Sequence, residues 1–225
     1  MSLINISVEK IKRLAEILHN IKKYGSNEET IQDALTYLIP QNDNKIIGIE
    51  INNNLAPASF DLDNEKVKIS VKRLNKLILE STAHLKMLFP EINEEEMYNY
   101  YILFTLIHET RHVNQYLIAE GAIDFPYKII KEAYKTMSNV GYLDINFIRN
   151  YISLFMYTKN RERLIIERNA NIEATEIVRN LAKYLENEPI ADLFESMRQR
   201  CITYGYDGNY NGSLEETYKT LYLKV

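Results

Sequence analysis

The sequence predicts a predominantly helical α+β protein, and three observations carry that expectation. Long stretches repeat apolar residues at three- and four-residue spacing, as helices with one buried face do. Between residues 59 and 71 the repeat changes to alternation, as in strands with one buried face. Residues 98–107 are apolar nearly all round, which predicts a helix at the centre of the molecule rather than on its surface.

Taken in order, Ile11, Leu14, Leu18 and Ile21 mark a first helix from Ser7 to Tyr24, closed by Gly25. A second opens at Ser26 with Glu29 three residues on, a capping-box spacing, and stops before Pro40. Residues 1–40 are therefore expected to form a helical hairpin packed on a main body of residues 41–225. His19 has no partner motif and reads as a surface or core-edge side chain.

Residues 45–51 read as a strand, and 59–63 with 66–71 as a hairpin around Asp63, Asn64 and Glu65. Phe60 and Leu62 alternate with Asp61 and Asp63, and Val67, Ile69 and Val71 alternate with Lys66, Lys68 and Ser70, so acids should face lysines across it. The acidic turn lacks the glycine of a calcium loop, because Lys66 stands there, and reads as solvated. A helix follows from Arg73 to Phe89, carrying His84 and stopped by Pro90. Lys66, Lys68, Lys72, Arg73 and Lys76 make a basic cluster that reads as a solvated face.

Asn93 with three glutamates behind it starts the central helix, which should run to about Glu120. Further helices are expected at 126–138, 144–158, 160–187 and 189–203. The spacing Asp207-x-Asn209-x-Asn211-Gly212 matches only half of a calcium loop, and a cap at Ser213 for a last short helix accounts for it better.

The bulk composition narrows the function. Hydrophobic content of 46% and charged content of 26% are those of a soluble globular protein. A formal charge of −4 offers no polyanion footprint, so nucleic acid is not an expected partner. The single cysteine, Cys201, excludes an internal disulfide framework and suits a reducing compartment. With no signal-peptide pattern and no apolar run of membrane-spanning length, the expectation is a cytoplasmic protein without a membrane partner.

The central helix carries the chemistry. His108, Glu109 and His112 form one H-E-x-x-H. Histidines four apart lie one turn apart on one face, so both imidazoles can reach one metal ion, with Glu109 beside it to activate a bound water. A catalytic zinc site needs a third protein ligand and an open position. Glu167 is the leading candidate, with Glu162, Glu173 and Glu176 as alternatives. Asn171 shares the helical face of Glu167 and could orient a ligand from behind.

This pair of motifs resembles the gluzincin group of zincin metallopeptidases. The runs from His108 to Gln115 and from Ile166 to Ala174 look like the variants found in small intracellular zincin-like proteins of bacteria and their mobile elements. The resemblance covers about residues 59–118 and 160–176. It implies a zincin-like fold with a small antiparallel sheet beside the motif helix. It further implies zinc held by His108, His112 and Glu167, and Glu109 as the general base of a peptidase acting on peptides or proteins. Arg111 and Asn114 depart from the extended zincin pattern, which prefers an uncharged and a hydrophobic residue there. A transition-state donor is expected among Tyr151, Tyr157, Tyr204, Tyr206 and Tyr210. The competing expectation is a non-catalytic binding or regulatory module on the same fold.

Overall fold

The computed structural model describes residues 6–40, 46–53, 57–61, 64–119 and 165–203. The element order is α1 (Val8–Tyr24), α2 (Glu28–Leu38), β1 (Gly48–Ile51), β2 (Ala58–Asp61), β3 (Lys66–Ile69), α3 (Val71–Leu88), α4 (Glu94–Ala119), α5 (Ile165–Tyr184) and α6 (Glu188–Thr203). The protein is thus mostly helical with a small three-stranded sheet. The helices expected at 126–138 and 144–158, and everything beyond residue 203, lie outside the described residues.

Local chemistry sets the boundaries. The Ser7 side chain accepts from the Lys10 amide and caps α1, which ends at Gly25 with φ 77°, a conformation that favours glycine. The second helix departs from expectation. Its cap is Asn27, whose side chain accepts from the Thr30 amide, and not Ser26. The Ser26 hydroxyl is used elsewhere, hydrogen-bonding Asn75 of α3 at 2.9 Å and the Tyr98 hydroxyl of α4 at 2.8 Å. This buried serine ties the turn between α1 and α2 to the body. Helix α3 starts two residues before its expected position, because Ser70 caps it by accepting from the Arg73 amide. Asn93 caps α4 as expected, accepting from the Glu96 amide.

The sheet corrects a second expectation. Its order is β1-β3-β2, with β2 antiparallel to β3 but β1 parallel to it, so the sheet is mixed rather than antiparallel. Alternation on β2 and β3 specifies their hairpin register, Phe60 opposite Val67 and Asp61 opposite Lys66. It says nothing about the partner of β1, whose pattern does not alternate cleanly. Val67 and Ile69 are buried, and the Lys68 ammonium pairs with the Asp61 carboxylate on the other face.

Helix α4 is the element that most of the others pack on. Helices α1, α2, α3 and α5 and strands β2 and β3 all contact it. Met97, Tyr100, Ile102, Leu103, Phe104, Leu106 and Ile107 are buried round most of its circumference, and the half-buried Tyr98, Tyr101 and Thr105 occupy the rest. Buried residues of α1 and α2 belong to the same continuous core as those of α4, α5 and α6.

Candidate metal centre

His108, Glu109 and His112 sit two-thirds of the way along α4, where the apolar run gives way to polar side chains. The two imidazoles meet edge to face, with ring centroids 4.7 Å apart and planes at 85°. Their Nε2 atoms face each other at 3.1 Å. Two neutral ring nitrogens at that distance must share either a proton or a cation. Zinc–nitrogen bonds of about 2.0–2.1 Å in a tetrahedral site put two ligand nitrogens about 3.3 Å apart. The pair therefore fits two corners of a zinc site. Glu109 and His112 are buried, while His108 is partly open.

The surroundings follow from helix geometry, at about 100° per residue. Tyr116 lies roughly 80° round from His108 on one side, and Arg111 roughly 60° round on the other. On the Tyr116 side stands the sheet: its ring packs on Phe60 of β2 at 5.4 Å, and its hydroxyl donates to the Glu65 carboxylate beside β3. On the Arg111 side stands α5, whose Glu173 accepts from the Arg111 guanidinium. The histidine face thus looks out between a strand edge and a helix. Lys10, in the first turn of α1, lies within electrostatic reach of Arg111 and Glu173. Partial burial of its side chain and then the field of Arg111 hold Lys10 below the usual lysine range, with Glu173 pulling the other way.

Behind His108 is an aromatic tier. Its ring lies 6.2 Å from Phe104, which lies 5.7 Å from Phe194 of α6 and 5.3 Å from Tyr101. These rings limit how far the imidazole can swing toward the core.

Two contacts fix the direction of α5. Asn187, just past its end, lies beside the Tyr100 hydroxyl near the start of α4, and Glu173 meets Arg111 eleven residues later. The helices are antiparallel. Burial, and then the charge of Glu96, push the Tyr100 phenol up to about 12, so this anchor stays protonated. Running back from Glu173, the first turns of α5 head toward the C-terminal half of α4, beyond His112. Glu167 belongs to those turns; its side chain lies outside the described residues.

The structure separates the alternative third ligands. Glu173 is held by Arg111, and Glu176 by Arg179 at 2.7 Å and Arg198 at 3.4 Å. Both carboxylates are committed to guanidinium groups. Glu162 lies outside the described residues, as do all five tyrosines considered as transition-state donors. Asn171 is half-buried on α5, and no hydrogen bond joins its side chain to either histidine among the described residues. Among the described residues, no group of three histidine, cysteine or carboxylate side chains converges as a metal site, although the two histidine Nε2 atoms meet.

Sequence reasoning missed the Arg111–Glu173 pair and the aromatic tier. The first left a signal, since a charged residue inside a buried motif helix needs an acid on whichever helix packs there. The second left none, because Phe194 is one of many apolar residues at helical spacing. In comparisons with protein-family models, curated proteins and solved structures, nothing matches the chain.

Proposed function

We propose that the chain is a zinc-dependent peptidase with a zincin-like arrangement of α4, the sheet and α5. The observation that carries this is the pair of Nε2 atoms 3.1 Å apart on a buried H-E-x-x-H helix, beside a helix bearing Glu167. His108 and His112 would hold the ion through neutral imidazoles, and Glu167 would complete the set. Zinc bound there supplies a Lewis acid for the scissile carbonyl and lowers the pKa of water.

The chain's own residues do the rest. Glu109 takes the proton of the attacking water and later gives it to the leaving amine. Phe104 backs the His108 ring, and the Arg111–Glu173 pair locks α4 to the helix that carries Glu167 and Asn171. The substrate would be a peptide or protein lying across the face between β2 and α5, in a cytoplasmic setting.

The test combines metal content and activity. Protein purified without added metal should carry one zinc per chain, lost in His112→Ala. Glu109→Gln should keep the zinc and lose hydrolysis of an unfolded protein substrate. Zinc retained with equal activity in Glu109→Gln refutes the proposed base. Zinc bound with no hydrolysis by the parent protein favours the binding-module reading instead.

A further inference from the structure

The outer face of helix α3 is exposed and mixes basic with apolar side chains. Its buried side, Val71, Leu74 and Ile78, packs principally on α4. The opposite side carries Lys72, Lys76, Leu79, Ala83 and Met87 in one row, all exposed. Of the ten large hydrophobic side chains exposed among the described residues, four lie on this helix: Leu77 at 46%, Leu79 at 54%, Leu88 at 62% and Met87 at 72%. Leu79 and Met87 belong to this row, while Leu77 and Leu88 lie about 120° or more round the helix from it.

Charge says what could cover it. Within α3, four cations (Lys72, Arg73, Lys76, Lys86) stand against one acid, Glu80, on a chain whose total charge is −4. Lys66 and Lys68 on the neighbouring strand are offset by Glu50 and Asp61. Lys72 and Arg73 have no acidic partner among the described residues, and Lys76 reaches only Glu80, at 3.9 Å. Two copies of such a face would repel each other, so a second copy of this chain is a poor occupant. Nucleic acid would satisfy the cations but not Leu79 and Met87. Protein hot spots favour Trp, Tyr and Arg, whereas this face offers lysine, leucine and methionine on a convex surface. A surface that is anionic outside and apolar beneath satisfies both halves: lysine stems can lie along it with their ammonium groups among the headgroups while Leu79 and Met87 enter the acyl boundary.

We propose that the outer face of α3 is a docking surface for anionic phospholipid, holding the protein flat against a membrane without crossing it. No helix among the described residues is long and apolar enough to cross one. The inference does not depend on the metal site.

Co-sedimentation of the full chain with vesicles tests it. Vesicles of equal parts phosphatidylcholine and phosphatidylglycerol should pellet the protein, vesicles of phosphatidylcholine alone should not, and added salt should release it. Lys72→Gln with Lys76→Gln should lower partitioning about twenty-five-fold, at about fivefold per lysine. Leu79→Ser with Met87→Ser should weaken it while leaving the salt dependence. All four side chains are exposed, and an unchanged circular-dichroism melt confirms that each variant folds. Failure to bind the anionic vesicles overturns the proposal, as does undiminished binding by both double variants. Capture of an acidic protein through this face with no vesicle binding assigns the surface to a protein and overturns it equally.

Discussion

Arg111, one residue before the second histidine of the motif, donates from its guanidinium to Glu173 on α5, and both side chains are largely buried. This contact explains how the charged Arg111 side chain can be largely buried on the helix that carries the motif. Removing one partner strands the other charge out of water, whereas removing both does not. Arg111→Met should therefore destabilise the protein by about 2–3 kcal/mol, and the double variant with Glu173→Leu by clearly less than the sum of the two singles. Urea denaturation of the four proteins in the cycle measures this. Additive losses would mean that the pair is not coupled.

The tier behind His108 gives a second prediction. Phe194 is fully buried against Phe104 and Tyr101. Phe194→Ala should cost about 3–5 kcal/mol, and Phe194→Leu much less because most of the volume is kept. If the tier also steadies the His108 ring, Phe194→Leu should lower zinc affinity while the fold survives. Urea denaturation and competition with a chelator separate the two effects. Unchanged zinc affinity in Phe194→Leu would leave Phe194 a core residue only.

The parts of this arrangement legible in the sequence were those that repeat. Alternation in Phe60, Val67 and Ile69 specified the hairpin, helical spacing specified α1 to α6, and four-residue spacing put His108 and His112 on one face. What was not legible depends on pairing between distant segments. The parallel partner of β1 could not be read because a parallel neighbour leaves no turn signal to fix it. The cap of α2 was misplaced by one residue because Ser26 and Asn27 are both good capping residues, and only the tertiary contacts of Ser26 with Asn75 and Tyr98 decide between them. The guanidinium partners of Glu173 and Glu176 were hidden for the same reason, since one lies 62 residues away and another on the next helix.

Tyr116 and Glu65 provide a third test. Glu65 has φ 50°, a left-handed conformation that costs a non-glycine residue about 1 kcal/mol or more. Its carboxylate accepts from Tyr116, one turn beyond His112, so the strained turn is joined to the motif helix. Tyr116→Phe keeps the packing on Phe60 and removes only the hydroxyl. It should destabilise by about 1–3 kcal/mol. Glu65→Gly relieves the backbone and loses the same hydrogen bond, so its net cost should be smaller than that of Tyr116→Phe. Thermal melts of the two variants rank them, and a Glu65→Gly variant that is the less stable would show that the turn is not strained.

The junction of α5 and α6 makes the pH prediction. Hydrogen bonds from Arg198, joined by those from Gln199 and Arg179, hold the Glu195 carboxyl down at about 2 against an ordinary 4.5, although burial opposes the shift. Arg198 is in turn held above its usual range, first by Glu195. A carboxyl whose pKa falls on folding binds fewer protons in the folded state. Its stabilisation is complete above the ordinary value and is lost as pH falls from 4.5 toward about 2. Glu195→Gln should be less stable than the parent at neutral pH, and the gap should close across that acidic range because the parent loses the ionised contact that the variant never had. Urea midpoints of both proteins, taken at steps of pH from neutral downward, measure the gap. A gap that stays constant to the acid end would mean that Glu195 is ionised no more readily in the folded chain than in the unfolded one, and that the helix junction rests on packing alone.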